Sequence, residues 1–270
     1  MKKNTTLASL KRGCPKQRYP DLLQHCNNRG LKAYLLVLAS SGARAMEVLT
    51  LRESDIDLSD TDNESNPGTI KIRKEYSKNR TERTIFISNE AARYLRSWIE
   101  YIYSDRSNKT KSARKRSPDD LIFSSRAWNW TEHKYPTGLY DSLLEDFQKL
   151  LKETGLADRK EDGVFKRRKI TFHSFRRFVK TTIANQTRNS DYSEWFLGHT
   201  KSPYWVNKPG ERKKIYKEDC MKHLSFLSYG TVQDIARNTD AELKALRKEK
   251  DEQIKRLEQQ ITEMKQTPDV

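Results

Sequence analysis

The sequence predicts a mainly helical α+β fold with one small antiparallel β-sheet, and three features of the 270-residue chain support this prediction. Most apolar side chains recur at helical spacing, in segments that end at Gly, Pro or Ser. Two short segments with alternating apolar side chains flank a polar turn, as in a β-hairpin. Residues 231–270 are highly charged and carry apolar side chains three and four positions apart, which predicts a C-terminal amphipathic or coiled-coil helix.

The remaining elements follow one another with short polar connections. Helices are predicted at residues 31–41, 43–52, 89–103, 137–154, 173–186 and 192–197, and from Pro209 onward. The hairpin strands are predicted at 69–76 and 83–88, and a further short buried strand at 120–125. The acidic segment 57–68 and the basic segment 107–118 are predicted loops.

The chain is organised in three parts. Residues 1–20 are basic and polar with two prolines, and we interpret them as an arm. Residues 21–230 contain the predicted core elements and form one domain that is long enough to bury a substantial core. The apolar seam of residues 231–270 is too short for a stable free coiled coil, and docking on its own domain is the equal alternative.

The composition indicates a polyanionic partner. The formal net charge is +16, and the isoelectric point is about 9.6. The three cysteines show no C-x-x-C spacing, as expected of reduced thiols rather than a disulfide framework. No apolar run is long enough to span a bilayer, and the N-terminus lacks the apolar centre of a signal peptide. We therefore expect a soluble, cytoplasmic, DNA-associated protein that does not enter membranes.

Two groups of residues, far apart in the chain, have the types needed to break a phosphodiester bond. The first box comprises Gly42, Arg44, Glu47, Leu51 and Asp55. The second box comprises His173, Arg176, Gly198 and His199, with 23 positions from 176 to 199. Two arginines can hold the oxygens of one phosphate, histidines and a lysine can move protons, and a tyrosine hydroxyl can attack phosphorus. Such a reaction needs no metal or other cofactor, and none is expected.

Both boxes resemble those of the tyrosine recombinases, the phage-integrase family. The family's first box, G-x-R-x-x-E-x-x-x-L-x-x-x-D, is matched completely from Gly42 to Asp55. Its second box, H-x-x-R followed by G-H, is matched from His173 to His199. The resemblance spans roughly residues 20–230, and an archaeal or viral type is one interpretation. It implies the DNA breaking–rejoining fold of that family for the mainly helical domain.

The resemblance also implies a role for each residue of the boxes. Arg44 and Arg176 would hold the scissile phosphate and stabilise the transition state. His173 and His199 would assist as base and hydrogen-bond donor. Glu47 would orient a catalytic side chain rather than react.

In the family, the β-hairpin carries a lysine that protonates the leaving 5′ oxygen. Aligning the T-E-R-T-I-F-I segment with the family's hairpin places this lysine at Lys78, next to the turn. Lys74 is the alternative, and an ordinary solvated hairpin lysine is a further interpretation.

The nucleophile has two candidates. Family members usually place it about nine residues after the histidine of the G-H pair, but position 208 is a lysine here. A helix that begins at Pro209 puts Tyr216 in its second turn, where the family's nucleophile lies. We therefore expect Tyr216 to be the nucleophile. Tyr204, next to Trp205 in the preceding loop, is the alternative.

The resemblance implies a site-specific DNA recombinase or integrase that cleaves and rejoins double-stranded DNA at attachment-type sites. It would act as a homotetramer on DNA through a 3′-phosphotyrosyl intermediate. Only 43 residues precede Arg44, so the family's usual N-terminal clamp domain is not expected in this chain. The alternatives are a catalytically impaired DNA-binding remnant or accessory factor, and a type IB topoisomerase-like enzyme.

Overall fold

The computed structural model describes residues 15–63, 65–104, 116–123, 137–159, 168–199 and 203–227. The chain divides into two units, 1–226 and 227–270, and the described helices and strands all belong to the first. The first 14 residues of the predicted arm, most of the predicted basic loop and the predicted C-terminal helix lie outside the described residues.

The predicted mainly helical α+β fold is confirmed. The helices are α1 (Pro15–Gln24), α2 (Arg29–Ser41), α3 (Ala45–Leu49), α4 (Asn89–Tyr103), α5 (Thr137–Glu153), α6 (Phe172–Thr187), α7 (Ser190–Phe196), α8 (Pro203–Val206) and α9 (Pro209–Ile215). The strands are β1 (Ile56–Asp57), β2 (Gly68–Ile72) and β3 (Arg83–Ile87), which form one antiparallel sheet in the order β1–β2–β3. Ile70 and Ile85 pair at the centre of the predicted hairpin.

Helix α2 forms the centre of the core. Its side chains from Ala33 to Ser41 are buried on every face, so the helix must be enclosed by other elements. Helices α4 and α6 and strand β3 pack around it. Asn28 caps the first turn, because its side-chain oxygen accepts a hydrogen bond from the Leu31 amide at 3.1 Å.

Helix α6 separates a core face from a site face. Phe175, Val179 and Ile183 are buried against the core. This spacing of four residues turns His173 toward the surface. Thr171 and Ser174 close the N-terminus of the helix, since the Thr171 amide donates to the Ser174 hydroxyl at 3.0 Å. The apolar face therefore fixes the direction of the second box.

Two predicted boundaries differ from the structure. Residues 15–20 belong to α1 rather than to an extended arm, because buried Tyr19 packs against Phe175 and Phe178 with ring centroids 4.7 and 5.3 Å apart. The strand predicted at 120–125 is a single bridge between Arg52 and Leu121 in the described residues, although Leu121 to Phe123 are buried as expected.

The predicted acidic loop is tied to the rest of the domain. The Asn89 side-chain amide donates to the carbonyl of Thr61 at 2.7 Å. Lys213 of α9 bonds to Asp60 at 2.6 Å, and Lys217 bonds to Asn66 at 3.0 Å. Within the described ranges, no helix combines the length and the apolar character needed to cross a lipid bilayer.

Gly42 connects the core helix α2 to the first box. It ends α2 in the left-handed conformation, with φ of 62°, and its amide donates to the Leu38 carbonyl at 2.9 Å. A Cβ atom at this position would lie 2.7 Å from Leu197 Cδ2 and 2.9 Å from Val179 Cγ1. The turn therefore requires glycine for both its backbone conformation and its packing.

We expect Gly42→Ala to lower the free energy of unfolding by about 3 kcal/mol, because it adds a strained backbone and an overpacked contact. Gly210→Ala is the matched control. Gly210 lies in the first turn of α9 with nothing near its would-be Cβ, so alanine should be neutral or stabilise by about 0.5 kcal/mol. Urea denaturation of the three proteins measures the difference, and equal stabilities would contradict this account of the turn.

Candidate active site

Arg44 lies at the start of α3, where the preceding turn holds its backbone. Its backbone amide donates to Glu47 Oε2 at 2.8 Å, and its Nη1 donates to Glu47 Oε1 at 2.9 Å. The Arg44 side chain is 26% exposed, while that of Glu47 is 1% exposed. The carboxylate therefore fixes both the backbone and the guanidinium of Arg44 and leaves part of the guanidinium open to a ligand.

The Glu47 carboxylate is also bound by an arginine of the hairpin. Arg83 donates from Nη1 to Oε1 at 3.0 Å and from Nη2 to Oε2 at 2.5 Å. Burial alone would raise the pKa of Glu47, but the hydrogen bonds and charge of Arg83, together with those of Arg44, lower it below its usual value. Glu47 is therefore an ionised, buried group that binds both Arg44 and Arg83.

Arg176 joins the two boxes. It is 4% exposed, and its two terminal nitrogens donate to the carbonyls of Gly42 and Leu197, each at 2.6 Å. Burial, followed by the charge of Arg44, lowers its pKa to about 10. It therefore remains charged at neutral pH, beside Arg44.

His173 lies one turn before Arg176 on α6 and is exposed. Desolvation lowers its pKa, and the charges of Arg176, Arg177, Arg44 and His199 lower it further. All of these cationic groups are therefore close enough to act on the imidazole. The neutral form is favoured at pH 7, so the ring can accept a proton.

His199 is held by a side chain of α7. Its Nδ1 lies 2.5 Å from Glu194 Oε2, and its backbone amide donates to the Glu194 carbonyl at 2.9 Å. Lys180 bonds to the other carboxylate oxygen at 2.5 Å. The hydrogen bonds of Lys180 and His199 lower the pKa of Glu194, which keeps it ionised. With Nδ1 bound to the carboxylate, a ligand contact of the His199 ring would be made through Nε2.

The turn of the hairpin lies beside Arg44. An open cleft of about 680 Å³ is lined by Arg44, Glu47 and the turn residues, which include both Lys74 and Lys78. Asn79 ties the turn to the second box, because its side-chain amide donates to the Gly198 carbonyl at 2.9 Å. Both candidate lysines thus border the same cleft, and the geometry does not rank one above the other.

Tyr216 is separated from this cluster. Its side chain is completely buried, its hydroxyl donates to the Ser40 carbonyl at 2.9 Å, and its ring stacks on Phe196 with centroids 5.5 Å apart. Burial raises the pKa of Tyr216 well above its usual value. This core position differs from the exposed one expected of a nucleophile. Tyr216 and Cys220 lie four positions apart and therefore share the face of this segment that is turned to the core, where both are buried.

Tyr204 has the opposite environment. It is 52% exposed on the short helix α8, and its hydroxyl accepts a hydrogen bond from Lys208 Nζ at 2.8 Å. The neighbouring Trp205 is buried, and its indole nitrogen donates to Asp191 Oδ2 at 2.8 Å. Trp205 therefore anchors α8 to the start of α7 and leaves Tyr204 on the outer side.

The sequence analysis missed two residues of the site. Arg83 entered only as part of the hairpin alignment, and its contact with Glu47 links residues 36 positions apart. Glu194 lies five positions before His199, a spacing that could have indicated contact across the end of a helix. Within the described part of the chain, no group of three or more His, Cys, Asp or Glu side chains is placed to hold a metal ion.

The family of the chain is shown by its match to a family profile. The profile of the phage integrase family matches residues 14–204, which is more than half of the chain. The chain belongs to the phage integrase family. The matched region contains both boxes and Tyr204, whereas Tyr216 lies beyond it.

The chain is also similar to individual recombination proteins, at low sequence identity. Transposase A from transposon Tn554 of Staphylococcus aureus is 24% identical over 178 residues, which cover 66% of this chain and 42% of that protein. The chain thus spans less than half the length of this curated relative. Among solved structures, the XerA recombinase is 17% identical, with a TM-score of 0.47, over 84% of this chain and 62% of that one. The Tn1549 transposon integrase is 17% identical, with a TM-score of 0.41, over 76% of this chain and 64% of that one.

The pKa of His173 provides a test of the site geometry. NMR titration of the His173 ring should give a pKa below the usual value for histidine. Replacing Arg177, an exposed arginine beside it, should raise that pKa, because Arg177→Met removes a nearby positive charge. Lys217→Met is the control. The charge of Lys217 is not among those that lower the His173 pKa, so this variant should leave that pKa unchanged. A titration that does not respond to Arg177→Met would contradict this arrangement of charges.

Proposed function

We propose that this chain is a site-specific tyrosine recombinase that cleaves and rejoins DNA through a 3′-phosphotyrosyl intermediate. The single observation that carries the proposal is the pairing of Arg44 and Arg176, which come from opposite boxes. Arg176 Nη1 donates to the Gly42 carbonyl at 2.6 Å, two positions before Arg44, and burial and the charge of Arg44 both contribute to the lowered pKa of Arg176. Two such cations beside a neutral imidazole suit the binding of one phosphate group and the developing charge of its transition state.

In the proposed reaction, a tyrosine oxygen bonds to phosphorus while the bond from phosphorus to the 5′ oxygen breaks. The hydroxyl proton passes to a base, and neutral His173 is the candidate. Lys78, with Lys74 as the alternative, gives a proton to the leaving oxygen and produces a free 5′ hydroxyl. Attack of a 5′ hydroxyl on the phosphotyrosine reverses the step, rejoins the strand and frees the enzyme.

We assign the nucleophile to Tyr204 rather than to Tyr216, which reverses the ranking made from the sequence. Tyr204 is half-exposed, and the anchored Trp205 fixes its backbone. It follows His199 by five positions in the sequence. The Tyr216 hydroxyl is engaged with a helix carbonyl and enclosed by two phenylalanine rings, Phe86 and Phe196. For Tyr216 to react, its helix would have to leave the core.

A nicked suicide duplex, which traps the covalent intermediate, identifies the nucleophile. We expect a denaturation-resistant protein–DNA adduct with the unaltered chain and none with Tyr204→Phe. Tyr216→Phe should keep the adduct, while its free energy of unfolding falls by about 1–2 kcal/mol because the Ser40 carbonyl loses its described donor. Tyr204→Phe should thus lose adduct formation, whereas Tyr216→Phe should lose stability.

Each remaining outcome has a definite meaning. An adduct that survives Tyr204→Phe and disappears in a folded Tyr216→Phe protein would return the nucleophile to Tyr216. If the unaltered chain binds DNA but forms no adduct on any duplex, the recombinase proposal fails in favour of a DNA-binding remnant. Relaxation of supercoiled plasmid without recombination between sites would favour the topoisomerase-like alternative.

Double-stranded DNA is the proposed substrate, with attachment-type sites as the target class. The net charge of +16 and the cleft lined by Arg44, Lys74, Lys78 and Arg80 both favour a polyanion. The Tn1549 transposon integrase was solved in complex with circular intermediate DNA, which supports DNA as the partner of this chain.

We further propose that the chain is a monomer in free solution and a homotetramer on DNA, where four subunits meet two duplexes. Light scattering without DNA should give a mass near 31.8 kDa. After addition of a duplex that carries the target site, the measured mass should correspond to a complex with four copies of the protein. A tetramer that forms without DNA would contradict this dependence on DNA.

A further inference from the structure

Arg83 belongs to the hairpin and contacts a residue of each box of the candidate site, Glu47 and Gly198. It lies at the start of β3, and its side chain is 9% exposed. Both terminal nitrogens bind the two oxygens of Glu47, and Glu47 in turn holds the amide and the guanidinium of Arg44. The almost fully buried Glu47 carboxylate therefore connects Arg83 directly to Arg44, the arginine proposed to bind phosphate.

The same side chain also supports the turn of the second box. A Cβ atom on Gly198 would lie 2.9 Å from Arg83 Nε and 3.0 Å from its Cδ, so the backbone of the turn rests directly on the arginine. Gly198 has φ of 70°, and the next residue is His199. A change in the Arg83 side chain would thus alter the support of this turn as well as the position of Glu47.

The geometry favours arginine over lysine at this position. A guanidinium presents two parallel donors that match both carboxylate oxygens, whereas an ammonium acts as a single point. If the fork is lost, Glu47 keeps only its bonds to Arg44, and its buried charge is poorly compensated. Arg44 could then follow Glu47 away from the orientation that holds a phosphate.

We propose that Arg83 is a positioning residue of this enzyme: through Glu47 it fixes Arg44, and through Gly198 it supports the turn that carries His199. It does not touch the substrate. The inference rests on the proposed strand-cleavage function, and the test separates the two. If the unaltered chain forms no covalent adduct, the proposed function fails; the role of Arg83 is judged on an active enzyme by comparing variants.

The first measurement is the rate of adduct formation at saturating protein on a nicked duplex. We expect Arg83→Met to lower this rate by about 100-fold, the scale of a small misplacement of a catalytic group, with DNA binding unchanged. Arg83→Lys keeps the charge but not the fork, and should recover part of the loss, to about tenfold below the unaltered enzyme. Lys71→Met is the matched control. Lys71 lies on the adjacent strand and pairs with exposed Glu82, so the variant should form the adduct at the normal rate.

The second measurement distinguishes positioning from general damage to the fold. A methylphosphonate at the cleavage site replaces one charged oxygen by a methyl group, so the reacting phosphorus group depends less on arginine charge. If Arg83 acts through Arg44, the deficit of Arg83→Met should shrink on this substrate by about tenfold, as should that of Arg44→Met. Damage to the fold would lower both rates by the same factor.

Two results would overturn the inference. The first is a rate for Arg83→Met equal to that of Lys71→Met. The second is an equal deficit on the phosphodiester and methylphosphonate substrates for whichever Arg83 variant is folded by circular dichroism. Since Arg83→Lys preserves the buried charge, it provides the comparison if Arg83→Met does not fold.

Discussion

The guanidinium of Arg176 is the constraint on which the rest of the site depends. Its two terminal nitrogens bind carbonyls that lie 134 and 21 positions away along the chain, one in each box. Both carbonyls belong to tight turns at helix ends, where backbone oxygens lack partners within the helix. A single buried side chain therefore satisfies two orphan carbonyls and holds the two turns together.

This arrangement concentrates positive charge, which sets the electrostatics of the site. Arg44, Arg83 and Arg176 surround one buried carboxylate, Glu47, which offsets only part of their charge. The remaining repulsion contributes to the lowered pKa values of Arg176 and His173. An incoming phosphate would relieve this repulsion. The preorganised cations thus favour an anion, and in the proposed phosphoryl transfer they would stabilise the developing charge with little rearrangement.

The sequence predicted the elements that have strong apolar periodicity and failed where packing overrides local signals. The long helices α2, α4, α5 and α6 and the hairpin were anticipated because one face, or every face, is apolar. Helix α1 was missed because Pro15 and Pro20 suggested an extended arm. Pro15 begins the helix, where its missing amide costs little, and burial of Tyr19 offsets the cost of Pro20 inside it.

Long-range contacts set the other limit of sequence reasoning. The motifs located Arg44, His173, Arg176 and His199, and the structure places them near one another. They could not reveal that Arg83 shares the Glu47 carboxylate, because a contact across 36 positions leaves no periodic pattern. The sequence contained equally little sign that Tyr216 is buried. No residue of the preceding helix α9 is buried, so this helix has no apolar stripe that would indicate its inner face.

The segment after His199 shows how the two tyrosines come to differ. Helix α9 is held to the acidic segment by Lys213 and Lys217, which flank Tyr216 in sequence and fix its ring toward the core. Among the described residues, Trp205 anchors helix α8 through its indole and its packing on Tyr192. A helix with contacts on several sides rotates only at the cost of breaking all of them, whereas the one-turn helix α8, anchored by buried Trp205, keeps Tyr204 exposed. The burial of Tyr216 and the exposure of Tyr204 therefore follow from how each helix is attached.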